Sequence, residues 1–142
     1  MAKVLISPGK YVQGAGEMKK LGEYAQNYGK KALILISKGG YKRIGAMVEK
    51  SFEGKECGYV FDYFNGECSK KEIKRLGEIV KKEACDVVIG IGGGKIFDTA
   101  KAVAYYEKTP VLICPTIAST DAPCSALSVI YTEEGVFEEY LF

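Results

Sequence analysis

The stretch Val87-Val88-Ile89-Gly90-Ile91-Gly92-Gly93-Gly94-Lys95 decides how the rest of the sequence is read. An apolar run closes on three consecutive glycines and a lysine, and Ile96-Phe97-Asp98-Thr99-Ala100-Lys101-Ala102-Val103-Ala104 follows with helical character. Strand, glycine turn and helix in that order bring bare backbone N–H groups up to a phosphate. Gly92, Gly93 and Gly94 carry no Cβ, so a pyrophosphate can lie against their backbone, and Lys95 adds a mobile cation. The pattern is neither G-x-G-x-x-G nor the G-x-x-x-x-G-K-[ST] of a P-loop. A tight strand–helix turn packed closely for structural reasons is the alternative. Asp98 and Thr99 stand in the first turn of the helix, where an acidic side chain either meets a ligand or complements the positive helix end.

Upstream, apolar runs and helix-period segments alternate. Residues 2–7 read as a short strand and 8–16 as a glycine-rich loop. Residues 17–28 read as a helix with Gly29 at its C-terminal cap, and 31–37 as a strand covered on both faces. Gly39-Gly40 is expected to break this strand before a helix that carries Ile44, Met47, Val48 and Phe52. Residues 57–64 are strand-like, Asn65-Gly66 turns, and Ser69 with Glu72 forms a capping box for a helix to about residue 84. Downstream of the glycine turn, residues 110–114 make a further strand. Residues 128–132 and 136–142 suggest a hairpin around Glu133-Glu134-Gly135. The fold class is α/β: an open, mostly parallel, Rossmann-like sheet with helices on both faces and a C-terminal β-hairpin.

The strand at 110–114 feeds Pro115-Thr116-Ile117-Ala118-Ser119-Thr120-Asp121-Ala122-Pro123-Cys124-Ser125. This loop leaves the same sheet edge as the glycine turn, the edge where ligands bind in open parallel sheets. Hydroxyls of Thr116, Ser119 and Ser125 suit ribose or phosphate oxygens, and Asp121 suits a substrate hydroxyl; each is also an ordinary turn former. The strand at 31–37 ends on Ser37-Lys38, where dinucleotide folds usually place an acid for the adenosine ribose.

Composition narrows the options. The chain has no histidine, which excludes Ser-His-Asp and Cys-His nucleophile systems and removes the commonest zinc ligand. A net charge of +2, with paired lysines beside glutamates, gives no nucleic-acid face. No apolar run approaches the ~20 residues of a membrane span and no signal peptide is evident, so a cytoplasmic setting is expected. Five cysteines (Cys57, Cys68, Cys85, Cys114, Cys124) without a C-x-x-C pair, three of them beside apolar runs, read as buried free thiols. The 142 residues allow one compact domain, and the ending on Leu141-Phe142 reads as cut in mid-structure.

Gly92-Gly93-Gly94-Lys95, Asp98-Thr99-Ala100-Lys101 and the run from Pro115 through Tyr131 together closely resemble the glycerol dehydrogenases of the iron-containing alcohol dehydrogenase superfamily. Ser7-Pro8-Gly9-Lys10-Tyr11-Val12-Gln13-Gly14 and Phe64-Asn65-Gly66-Glu67-Cys68-Ser69 resemble them too, so the likeness covers the whole chain. The resemblance implies an N-terminal dinucleotide-binding domain over residues 1–142, with the family's helical second domain absent. It implies that Gly94 and Lys95 meet the NAD pyrophosphate and that Thr116 and Ser119 line the cofactor site. Ser125, Leu127 and Tyr131 would approach the nicotinamide and its ribose, and Asp121 the glycerol or other polyol. Ser37 replaces the family's acidic residue, which leaves the preference for NAD over NADP open. The family's metal, zinc or another divalent ion, is held by one aspartate and two histidines of the helical domain, so no metal ligand is expected here. Glycerol oxidation to dihydroxyacetone is therefore expected of a full enzyme and not of this chain alone. A non-catalytic nucleotide-binding or self-associating module is the alternative, and homo-oligomers are expected. An unrelated flavodoxin-like nucleotide binder is the remaining reading.

Overall fold

The computed structural model describes residues 1–4 and 6–142. Four strands, β1 (Lys31–Ile36), β2 (Gly58–Tyr63), β3 (Val87–Gly92) and β4 (Val111–Pro115), form one parallel sheet in the order β2-β1-β3-β4. Its helices are α1 (Leu21–Ala25), α2 (Lys38–Ser51), α3 (Lys70–Lys82) and α4 (Gly94–Glu107). A two-stranded antiparallel hairpin, β5 (Ser128–Tyr131) and β6 (Phe137–Leu141), follows. The expected α/β class and the C-terminal hairpin are both present.

Right-handed crossovers dictate the layering. The connection from β1 to β2 runs one way across the sheet, and those from β2 to β3 and β3 to β4 run the other. Helix α2 therefore covers one face and α3 and α4 the opposite one. Alternate residues of each strand fill the two cores. Ala32, Ile34, Ile36, Val87, Ile89 and Ile91 pack with Leu21, Val48 and Phe52 on the α1–α2 side. Leu33, Leu35 and Val88 pack with Leu76, Val80, Phe97 and Val103 on the α3–α4 side. Strands buried on both faces explain the continuous apolar runs. Gly90 lets α4 approach β3 closely: a Cβ there would come 2.9 Å from the Ala100 methyl.

Several boundaries differ from the sequence reading. Residues 2–4 and 6–7 form no strand and are exposed, and position 5 of that expected strand lies outside the described residues. A strand needs a neighbour to satisfy its backbone, and none pairs with them among the described residues. The helix expected over 17–28 is a 3-10 turn, Glu17–Lys20, followed by the short α1. The Gly22 N–H donates to Ser51 Oγ at 3.1 Å at this break, and a Cβ on Gly22 would meet the Ser51 carbonyl at 2.2 Å. Gly29 does not take a left-handed cap conformation; its missing Cβ makes room for the Asp86 carboxylate. The strand β1 does end ahead of Gly39 and Gly40, at Ile36, and both glycines lie in the first turn of α2, because Ser37 Oγ accepts from the Gly40 N–H at 3.0 Å. The capping box at Ser69 is half formed: Ser69 Oγ accepts from Glu72 N, while the Glu72 carboxylate turns to the Asn65 N–H and Arg75.

Candidate functional site

The register sets the site. Ile36 pairs with Ile91, and Gly92 with Pro115, so β1, β3 and β4 end at one level. Ser37, Gly93 and Thr116 are the first residues beyond it. The chain leaves β1 into α2 on one face and β3 into α4 on the other, so the carboxyl ends of β1 and β3 flank a topological switch point, where a crevice opens.

Gly93 is the N-cap of α4, and no side chain caps this helix among the described residues. The N–H groups of Gly94, Lys95 and Ile96 have no intrahelical acceptor, and the Phe97 N–H closes the first turn on Gly93 O at 3.1 Å. Helices α2 and α3 begin instead on the hydroxyls of Ser37 and Ser69. Gly92 has φ +149°, which favours glycine, and its carbonyl accepts from the Thr116 N–H at 3.0 Å and the Thr116 hydroxyl at 3.3 Å. A Cβ on Gly93 would face nearly open space, its one neighbour being Ile117 Cγ2 at 3.6 Å. The turn therefore presents bare backbone and unpaired donors at a positive helix end, which suits a phosphate.

The loop after β4 packs on this turn. Thr120 lies over Gly94, and its hydroxyl accepts from the Ala122 N–H at 3.2 Å. Ser119 and Asp121 are exposed, with Asp121 opening the short 3-10 turn Ala122–Cys124. Ile117 is 56% exposed beside Gly93, an apolar surface at the crevice that the polar reading of this loop passed over.

The loop after β2 forms the other side. Lys95 Nζ lies 2.7 Å from Glu67 Oε1, so the cation assigned to a pyrophosphate has a carboxylate partner here. Glu67 Oε2 is buried with no partner among the described residues. Tyr131 is drawn to the same loop, its N–H donating to Cys68 O at 2.8 Å. Burial pushes the Cys68 thiol up to about 11, so this cysteine is no nucleophile at neutral pH. The loop is anchored by Arg75, which reaches Asp62 at 2.8 Å and Glu72; hydrogen bonds donated to Glu72 first, then to Asp62, hold the guanidinium above its usual range despite burial.

Not every predicted residue faces the crevice with a free side chain. Ser37 is occupied as the cap of α2. Asp98 is turned to the hairpin: one oxygen accepts from Val129 N at 3.1 Å, and the other lies 3.1 Å from Lys101 Nζ. Ser125 and Leu127 reach the site region through Lys101, whose Nζ donates to Ser125 O, Ser125 Oγ, Leu127 O and Ala122 O. Lys101 joins the site without a motif of its own to mark it; the signal in the sequence is its spacing of three from Asp98 on one helix face.

Two grooves lie away from this edge. One, of about 310 Å³, runs between α3, α4 and the hairpin past Ile73, Tyr106 and Ile130. The other, of about 640 Å³, lies between α1 and α2. A metal centre does not fit the residues present: the sequence has no histidine. No three His, Cys, Asp or Glu side chains cluster suitably among the described residues. No described helix is long and apolar enough to cross a membrane.

Comparison with known proteins adds a second line. The family model for iron-containing alcohol dehydrogenases matches residues 8–141. A glycerol dehydrogenase from Thermotoga maritima is 52% identical over 100% of this chain and 38% of its own length. A glycerol dehydrogenase from Escherichia coli O6:H1 is 50% identical over 99% of this chain and 38% of its own. The crystal structure of a probable glycerol dehydrogenase from Sinorhizobium meliloti 1021 superposes with TM-score 0.89 at 42% identity, covering 99% of this chain and 38% of that one. The chain thus spans well under half the length of these relatives.

Proposed function

The chain belongs to the iron-containing alcohol dehydrogenase family, and from that premise we propose that residues 1–142 act as the NAD-holding unit of a polyol dehydrogenase, with glycerol the leading substrate. The observation that carries this reading is the N-terminus of α4, which no described side chain caps, at the switch point of a parallel sheet. There three backbone donors and a positive helix end face an open crevice.

In this reading the pyrophosphate lies on Gly93 and Gly94, with Lys95 leaving Glu67 to meet it. Gly92 holds the turn in shape. Ser37, with Lys38 beside it, stands at the adenosine end. Neither residue repels a 2′-phosphate as an acid would, so discrimination against NADP is weak. Thr116 and Ser119 border the cofactor, and Ser125, Leu127 and Tyr131 form the nicotinamide end. Asp98 serves that end indirectly, by fixing Val129. When bound, NAD supplies the acceptor for the hydride that leaves the carbinol carbon. Asp121 orients the polyol by accepting hydrogen bonds from its hydroxyls. The carbinol oxygen must also lose a proton, and the residues of this chain offer no histidine for that step.

Titration of the chain with NADH, followed by cofactor fluorescence and by calorimetry, tests the proposal. Saturable binding, without glycerol-dependent NADH production even when zinc is added, is expected. A flat titration overturns the nucleotide reading, and robust turnover overturns the division of labour.

A second reading rests on the aromatic row of edge strand β6. Phe137, Tyr140 and Phe142 are 50%, 57% and 84% exposed, with neighbouring rings 4.9 and 6.3 Å apart. Such a row favours self-association. Light scattering that finds a clean monomer at high concentration counts against it.

A further inference from the structure

We propose that Lys101 is a positioning residue: a built-in monovalent cation that gathers the oxygens of residues 122–127 and so shapes the nicotinamide end of the crevice. The proposal rests on the nucleotide reading above and deepens it.

Lys101 is on α4, one turn beyond Asp98, and its side chain is only 10% exposed. Its ammonium carries three N–H donors. Around it stand the carbonyls of Ala122 at 3.0 Å, Ser125 at 3.3 Å and Leu127, the Ser125 hydroxyl at 3.4 Å, and Asp98 Oδ1 at 3.1 Å. Three carbonyls, a hydroxyl and a carboxylate oxygen converge on one cation, as oxygens do around a bound ion. The carbonyls belong to a segment with little regular structure, a 3-10 turn of three residues pinned by the buried Ala122 and an extended connection to β5. Asp98 completes the arrangement by accepting from Val129 N, while its own carbonyl accepts from the Ser128 hydroxyl at 2.9 Å. One face of α4 thus clamps the whole run from Ala122 to Val129. Without the cation, the oxygens face one another across a partly buried site with no donor between them, an arrangement that costs free energy and drives the segment apart.

The clamp acts at a distance from the pyrophosphate. The polar contacts of Lys101 are with Asp98 and residues 122–127, and none is with Gly93 or Gly94. Removing the cation should therefore loosen one end of the crevice and leave the other intact, a split that general destabilisation does not produce.

The test uses Lys101→Ala in the 142-residue chain, with amide hydrogen exchange of peptides spanning 121–131, and NADH and ADP titrations. Faster exchange in 121–131 with unchanged exchange in β1 and β3 is expected. NADH should bind about tenfold more weakly, the equivalent of one lost charge-assisted hydrogen bond, while ADP affinity stays as in the unmodified chain. n-Propylammonium, the fragment that the substitution removes, should restore both readouts, and neutral n-propanol should restore neither. Unchanged exchange in 121–131, or equal loss of ADP and NADH binding, overturns the proposal. Failure of the unmodified chain to bind either nucleotide overturns the nucleotide reading instead, and the exchange and rescue results then decide the clamp alone. If Lys101→Ala does not fold by circular dichroism, Lys101→Gln is read in its place, with partial loosening expected.

Discussion

Replacing Gly93 with alanine separates binding from stability. Gly93 has φ −123° and ψ −168°, an extended conformation open to any residue, and a Cβ there meets only Ile117 Cγ2, at an ordinary 3.6 Å. The folded chain accommodates the methyl, and the cost is limited to a poorer N-cap, about 0.5–1 kcal/mol. That corresponds to a fall of about 2–4 °C in Tm for a domain of this size. The ligand is affected differently. A phosphate oxygen bonded to a backbone N–H sits at about 2.9 Å, whereas a methyl keeps heavy atoms at about 3.5–4.0 Å. A pyrophosphate displaced by that difference loses about one charge-assisted hydrogen bond, roughly 1.5–3 kcal/mol, so affinity for NADH should fall about ten- to a hundredfold. Gly92→Ala is the contrasting control. Its φ of +149° and a Cβ 2.7 Å from Ile96 Cδ1 make it costly to the fold itself. Thermal unfolding and NADH fluorescence titration of both variants give the answer. A Gly93→Ala chain that binds NADH as tightly as the parent refutes the placement of the phosphate on this turn.

Other expectations follow from neighbouring residues. Glu67→Gln releases Lys95 from an exposed ion pair worth at most about 1 kcal/mol, so NADH should bind up to about fivefold more tightly, an effect that shrinks as salt rises in the titration. Ser37→Ala should cost about 1 kcal/mol through the lost cap of α2, whereas Ser37→Asp keeps the cap and should shift preference from NADP toward NAD; denaturant unfolding and paired titrations separate the two. Burial raises the Cys68 thiol from 9.0 to about 11. The folded state therefore holds the proton more tightly than the unfolded one, and the contribution is complete below pH 9 and lost as pH climbs through about 11. Urea midpoints measured from pH 8 to 11 should fall, and Cys68→Ala should flatten that fall. Exposed Cys124 should react with iodoacetamide before buried Cys57, Cys68 and Cys85.

The parts legible in the sequence were those fixed by local chemistry. Continuous apolar runs between helix-period segments announced a parallel sheet, and Gly92-Gly93-Gly94 announced the turn, because strand burial and absent side chains leave direct marks. The hairpin around Glu133-Glu134-Gly135 was equally readable. What escaped depends on partners far along the chain. Residues 2–7 have an apolar centre that reads as a strand, but pairing is a tertiary event that a short apolar run does not guarantee. Gly29 looked like a helix cap and is in fact space for Asp86. Asp98 reads equally as a ligand contact or as a complement to the positive helix end, and both its oxygens are taken up by Val129 and Lys101. Ser37 was weighed as a ribose contact while its hydroxyl was needed to start α2. In each case the residue type was informative about the bond it makes, and only the fold says with whom.

The sheet also has a second end. At the amino edge, burial works against the Asp86 charge, but N–H bonds from Lys31 and Lys30, at 2.8 to 3.0 Å, prevail and hold the carboxyl below its usual value. The loops there, such as the one through Gly54 and Lys55, lie a full strand length from the glycine turn. A fluorophore, affinity handle or surface tether attached at Lys55 would leave the crevice facing solvent, giving an immobilised or labelled chain whose ligand-facing side is oriented by the polarity of its own strands.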